Sequence, residues 1–166
     1  DDCMVDIARY FMSFSQRESC GRCTFCRLGT RRLLEILENL CLGKGTSADL
    51  DELYRLGEAV QKGSLCGLGR AAPNPVLSAI RYFRDEFEAH IEGKCPAGRC
   101  KALIAYRITG NCIGCTRCAQ RCPTGAIAFE PYRRHRIEQE KCIQCGICKQ
   151  TCTQKAIAIT AAVNPS

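Results

Sequence analysis

The chain has 166 residues, 16 of them cysteine, and a formal net charge of +7, a length that suits one ordinary domain or two small ones. No apolar run approaches the roughly 20 residues of a membrane span, and no basic segment with an apolar core opens the chain as a secretory signal would, so a cytoplasmic protein with free thiols is expected rather than a secreted disulfide scaffold. The basic run Arg133-Arg134-His135-Arg136 has no aromatic stripe interleaved with it and reads as a solvated turn, which argues against nucleic-acid binding.

In chain order, residues 1–93 carry helical periodicity and are expected to form a helical domain. Val5, Ala8, Met12 and Ser15, flanked by Ile7, Phe11 and Phe14, mark a first amphipathic segment ending near Ser19. A second runs from about Thr24 to Leu42, with Leu33, Leu34, Leu37, Leu40 and Cys41 on one side and Gly43-Lys44-Gly45 as its stop. A third begins on a Thr46 or Ser47 cap, turns Leu50, Leu53, Leu56 and Val60 inward and ends at Gly63. The fourth opens on Asn74-Pro75, a cap followed by a first-turn proline, and carries Val76, Leu77, Ile80, Phe83 and Phe87 up to His90. Four such helices with short connections predict a small four-helix bundle.

Two cysteine segments lie between these helices. Cys20-Gly21-Arg22-Cys23-Thr24-Phe25-Cys26 offers three thiols close to a helix N-terminus, whose amides favour thiolate and sulfide charge. Cys66, in Ser64-Leu65-Cys66-Gly67-Leu68-Gly69, is the natural fourth ligand of a 4Fe-4S cluster, although the same four thiolates could also hold zinc.

Residues 94–103 read as a zinc-binding hinge or linker. His90, Cys95 and Cys100 stand five apart in a Gly/Pro-containing connection and suit tetrahedral zinc if a fourth ligand arrives from elsewhere. Cys3 is the expected fourth, because the first helix of an antiparallel bundle returns near the last. The plain alternative is that His90 caps its helix beside two reduced thiols. Cys41, on an apolar seam, reads as a buried free thiol.

From residue 104 to 166 the chain repeats itself. Cys112-Ile-Gly-Cys115-Thr-Arg-Cys118-Ala-Gln-Arg-Cys122 returns thirty positions later as Cys142-Ile-Gln-Cys145-Gly-Ile-Cys148-Lys-Gln-Thr-Cys152, with Ala126-Ile127-Ala128 matching Ala156-Ile157-Ala158. Disulfides or two zinc sites could use eight cysteines, but a doubled C-x2-C-x2-C-x3-C run points to two 4Fe-4S clusters in which the fourth cysteine of each run serves the other. The expected sets are Cys112, Cys115, Cys118 and Cys152, and Cys142, Cys145, Cys148 and Cys122. Each oxidised cluster with its thiolates carries about −2, so three of them bring the chain to about +1 and make the basic residues counter-charge. Ala102 to Ile108 and Ala156 to Thr160 are expected strands, with a central hairpin of Ala126 to Glu130 and Arg136 to Glu140 around Pro131-Tyr132.

These motifs carry a resemblance. Cys112 to Cys152 resembles bacterial two-cluster ferredoxins, departing from them where Cys152 is followed by threonine and not proline. Glu18 to Thr30, Ser64 to Gly69 and Pro73-Asn74-Pro75-Val76 resemble the C-terminal helical domain of the NADH-binding flavoprotein subunit of complex I. They resemble still more closely the beta subunit of NAD-linked, often electron-bifurcating, iron-iron hydrogenases and formate dehydrogenases, where a two-cluster ferredoxin domain follows. Phe25 stands where that family usually has proline. The resemblance implies an α+β chain that passes electrons through three 4Fe-4S clusters, with no substrate site of its own. It also implies FMN and NAD(H) sites upstream of residue 1, and partners among hydrogenase or formate dehydrogenase subunits or a soluble ferredoxin. The rivals are a complex I-type quinone reductase module, against which the second run counts, and a zinc-structured interaction module.

Overall fold

The structure, a computed structural model, describes residues 2–162. Residues 1 and 163–166, with which the expected outer domains begin and end, lie outside the described residues. The chain divides into two units between Leu103 and Ile104, so the segment 94–103 falls within the first.

The first unit is helical. Helix α1, Met4–Arg17, starts where the Cys3 thiol accepts the Asp6 N–H at 3.4 Å, and it buries Val5, Ala8 and Met12. Phe11 and Phe14, on its flank, remain exposed. The expected second helix has two parts: a π-helical turn, Phe25–Gly29, feeds α2, Thr30–Cys41, which buries Leu33, Ile36, Leu37 and Leu40 at helical spacing. Each of those side chains contributes about 1.5–3 kcal/mol by leaving water. Helix α3, Ser47–Gly63, opens on a capping box in which Asp49 takes the Thr46 N–H at 2.7 Å, and it buries Leu50, Leu53, Gly57 and Val60. A short helix α4, Gly67–Ala71, follows Cys66.

The expected fourth helix is broken in two. Helix α5, Asn74–Tyr82, and helix α6, Arg84–Ile91, meet at Phe83, whose φ of −134° and ψ of 38° leave the helical region. The break has a packing reason: it leaves Phe83 outside and turns Phe87 and His90, both fully buried, into the core. Helices α1 and α2 pack together, and α5 packs against both α1 and α3.

In the second unit, β1, Ile104–Ile108, pairs antiparallel with β2, Ile157–Ala161, in a register that sets Tyr106 opposite Ile159 and Ile108 opposite Ile157. The expected central hairpin reduces to one antiparallel bridge, Ile127 to Ile137. The Tyr132 backbone is drawn elsewhere, its N–H donating to the Gly114 carbonyl at 3.0 Å, and the Arg134 guanidinium donates to the Ile108 carbonyl at 2.7 Å. Two short helices, α7, Arg117–Gln120, and α8, Ile147–Thr151, lie inside the cysteine runs and carry the third cysteine of each, Cys118 and Cys148. The fold is thus mixed α and β, and among the described residues no helix is long and apolar enough to cross a membrane.

Candidate metal centres

All sixteen cysteines are free of disulfides. Cys3, His90, Cys95 and Cys100 are buried, and each offers one ligand atom within 4.8 Å of the other three. The Cys3 and Cys100 sulfurs lie 3.8 Å apart, and His90 Nε2 lies 3.3 Å from each. Tetrahedral zinc, with Zn–S of about 2.3 Å and Zn–N of about 2.0 Å, sets its sulfurs about 3.8 Å apart and sulfur and nitrogen about 3.5 Å apart. The group therefore has the size of one zinc coordination sphere.

The surrounding hydrogen bonds hold that geometry. His90 Nδ1 donates to the Glu86 carbonyl at 2.6 Å, which orients Nε2 toward the sulfurs. The Glu86 carboxylate accepts the Met4 N–H at 2.9 Å, tying the start of α1, and with it Cys3, to α6. The Cys95 sulfur accepts the Arg99 N–H at 3.4 Å. The crowded thiols separate in proton affinity. The hydrogen bond from Cys100 holds Cys3 at about 4 against its burial, and the same contact, with Cys41 and burial, pushes Cys100 far up. Burial opposes charge on His90, but its bonds to Cys3 and Glu86 outweigh this and raise it to about 9. Groups that gather protons this way bind a divalent cation with proton release. Cys41 stays outside the four-atom group, half-buried on α2, its pKa lowered by the Cys100 thiol against its burial.

Cys20, Cys23 and Cys26 lie on the loop and π turn ahead of α2, and Cys66 caps the start of α4. Ser19 Oγ is 3.3 Å from the buried Cys26 sulfur. The Leu65 N–H, then the Cys26 N–H, lower the pKa of Cys23, so the loop that carries Cys66 meets the triplet. Two glycines allow this approach. A Cβ at Gly29 would collide with Val60 of α3, and one at Gly69 would stand 2.5 Å from Ser64 Oγ and 3.1 Å from Cys26 Cβ. Among the described residues only the Cys3 group closes within 4.8 Å, so Cys20, Cys23, Cys26 and Cys66 do not share its tight spacing.

In the second unit, Cys112, Cys115, Cys118 and Cys152 line one cavity with His135, and Cys142, Cys145, Cys148 and Cys122 line another with Tyr106. The structure thereby brings the fourth cysteine of each run to the first three of the other. The repeat is written into the backbone as well. Gly114 and Gln144, Thr116 and Gly146, and Gly125 and Lys155 are thirty residues apart in pairs, and all six have positive φ, between 48° and 76°. Such left-handed residues turn neighbouring amides to one side and make anion-binding concavities. The Ala156 N–H reaches the Cys152 sulfur at 3.3 Å. Burial opposes the Cys122 thiolate, but N–H groups from Thr124, Ala126 and Ile127 outweigh it and lower its pKa. Cys118 and Cys148, deeper, are pushed up by burial, Cys148 to about 11.

Residues 6–90 match the iron-sulfur binding region of NADH-ubiquinone oxidoreductase-F, and residues 111–156 match the 4Fe-4S dicluster domain. The chain belongs to the oxidoreductase-F iron-sulfur family. By these two matches it is an iron-sulfur chain with 4Fe-4S binding domains. It is 48% identical over 130 residues to the NADP-reducing hydrogenase subunit HndC of Solidesulfovibrio fructosivorans, covering 77% of this chain and 26% of that one. Over 142 residues it is 32% identical to the beta subunit of the NADP(+)-dependent formate dehydrogenase of Moorella thermoacetica, covering 79% of this chain and 20% of that one. To the F-type subunit of the NADH-quinone oxidoreductase of Mycobacterium tuberculosis it is 44% identical over 95 residues, covering 57% of this chain and 21% of that one. A crystal structure of NAD+-reducing NiFe hydrogenase superposes on 54% of this chain and 15% of that one, with a TM-score of 0.52 and 39% identity. The chain thus spans about a quarter or less of the length of these curated relatives.

Sequence reasoning passed over Glu86 and Tyr106, and it put His135 in a solvated turn, whereas the side chain is buried. The repeat was the available signal for the last two, because Tyr106 stands six residues before Cys112 and His135 seven before Cys142.

Proposed function

We propose that the chain is the C-terminal, electron-carrying part of a flavoprotein subunit in an NAD(P)-linked hydrogenase or formate dehydrogenase complex, cytoplasmic and holding three 4Fe-4S clusters and one zinc ion. The supporting observation is reach. The hydrogenase and formate dehydrogenase relatives align over 130 and 142 residues, whereas the quinone oxidoreductase relative aligns over 95, and a dicluster match follows the helical one in this chain. FMN and NAD(H) belong, on this reading, to the much longer remainder that those relatives possess. Other subunits of the complex and a soluble ferredoxin are the proposed partners, and electron bifurcation is a proposed use of the three centres.

The ligand sets proposed are Cys20, Cys23, Cys26 and Cys66; Cys112, Cys115, Cys118 and Cys152; and Cys142, Cys145, Cys148 and Cys122. A bound 4Fe-4S cluster supplies one-electron chemistry at a potential set by hydrogen bonds, charge and exposure. The chain's part is to hold thiolates and aim N–H groups at them, as Leu65 does at Cys23 and Ala156 at Cys152. Zinc on Cys3, His90, Cys95 and Cys100 would pin the connection of residues 94–103 to the ends of α1 and α6, closing a small four-helix bundle made of α1, α2, α3 and the α5–α6 pair.

The test is to express the full-length subunit anaerobically and add NAD(P)H. Bleaching of the visible cluster absorption supports the reading. Clusters that dithionite bleaches and NAD(P)H leaves oxidised would contradict it.

A further inference from the structure

Two buried side chains outside the ligand sets line the two cysteine cavities of the second unit. His135, 4% exposed, lines the cavity of Cys112, Cys115, Cys118 and Cys152, and its Nδ1 lies 3.7 Å from the Cys112 sulfur. Tyr106, 7% exposed, lines the cavity of Cys142, Cys145, Cys148 and Cys122. The two hold nearly the same place in the repeat: each precedes one cysteine run and faces the other.

They differ in what they offer sulfur. A metal-bound thiolate accepts hydrogen bonds and donates none, so the nitrogen beside Cys112 has to carry the hydrogen. A neutral ring then has a bare Nε2, and Nε2 is buried with no hydrogen-bond partner among the described residues. Burying an unpartnered polar atom costs about 1–3 kcal/mol, a cost that an apolar side chain in the same place would avoid. The contact at Nδ1 accounts for its presence. Among the described residues Tyr106 makes no hydrogen bond to a cysteine sulfur; burial, then the thiols of Cys148, Cys145 and Cys142, raise its pKa and keep it neutral.

A hydrogen bond to a cluster thiolate withdraws negative charge and favours the reduced, more negative state. We infer that His135 separates the potentials of the two dicluster centres by donating Nδ1–H to Cys112, making the centre on Cys112, Cys115, Cys118 and Cys152 the easier to reduce. The inference rests on both runs holding 4Fe-4S clusters. It adds a direction to that reading: within this unit an electron settles on the Cys112 centre.

The test uses the full chain, loaded with iron and sulfide under argon, and EPR-monitored redox titration. Cys115→Ser and Cys145→Ser, which alter one signal each, assign the two centres. In wild type the Cys112 centre should titrate at the higher potential, and protein grown with 15N-histidine should show nitrogen hyperfine coupling at that centre. His135→Phe keeps a ring and removes the donor: it should lower that potential, abolish the coupling and leave the Cys142 centre in place. His135→Asn, which offers a side-chain N–H near the position of Nδ1, should recover part of the shift, whereas Tyr106→Phe should move neither centre. Unchanged potentials in His135→Phe at full iron content would overturn the inference, as would a wild-type Cys112 centre without histidine coupling, a measurement that stands even where the variant loses iron. An iron content showing one cluster or none in the second unit would instead overturn the reading beneath it.

Discussion

Gly69 and Cys26 approach so closely that a methyl group at residue 69 would stand 3.1 Å from Cys26 Cβ, and 2.5 Å from the hydroxyl of Ser64 on the other side. The missing side chain lets the Cys66 loop close on the triplet of Cys20, Cys23 and Cys26. Gly69→Ala should therefore push the two segments apart, with about 1–3 kcal/mol of overpacking strain. Chemical analysis of the anaerobically purified variant should show about four irons fewer than wild type, with the dicluster EPR signals retained. Full iron content in Gly69→Ala would separate this contact from cluster binding. Cys66→Ser should remove the same signal and leave the other two.

The second prediction concerns zinc. One zinc per chain is expected by elemental analysis, lost or weakened in Cys3→Ala and Cys95→Ala and kept in Cys41→Ala, because Cys41 stays outside the group that closes within 4.8 Å. Undiminished zinc in Cys3→Ala would show that the ion sits elsewhere.

Zinc affinity should also fall as pH falls. Near neutrality Cys3, held at about 4, is already a thiolate, whereas His90, raised to about 9, and Cys100, pushed far up, hold protons that zinc must displace. Each displaced proton steepens the loss to roughly tenfold per pH unit below those values. Competition with a chelator between pH 6 and 8 measures it, and a flat profile would mean that these groups are not the ligands.

Left-handed residues give a fourth prediction. Lys155 and Gln144 occupy positive φ of 48° and 50°, where their repeat partners Gly125 and Gly114 sit at 62° and 69°. A side chain is strained there and glycine is not. Lys155→Gly and Gln144→Gly should be tolerated, and by relieving strain should stabilise the loops by up to about 1 kcal/mol, visible as slower cluster loss to a chelator. Faster loss in both would show that the side chains, and not the backbone, hold the loops.

Much of this was legible in sequence because it is local. The spacing of Cys112 to Cys122 and its return at Cys142 are fixed within one loop, and the Thr46 cap and the Gly63 stop bound α3 as expected. What escaped depended on tertiary packing. A single apolar stripe runs from Val76 to Phe87 through Phe83, but the core takes Phe87 and His90 and excludes Phe83, so the helix breaks there. Residues 126–130 and 136–140 alternate like strands, yet the Gly114 carbonyl captures the Tyr132 amide and leaves one bridge. Nothing in the spacing around Glu86 singles it out. Its role at His90 and Met4 exists only once α1 and α6 are side by side.

The central claim is three complete ligand sets in one chain, and counting iron and acid-labile sulfide in the anaerobically prepared chain tests it most directly. Three 4Fe-4S clusters require about twelve of each per chain, with three distinguishable EPR signals on stepwise reduction. A count near eight, with zinc on Cys20, Cys23, Cys26 and Cys66 in place of iron, would contradict it.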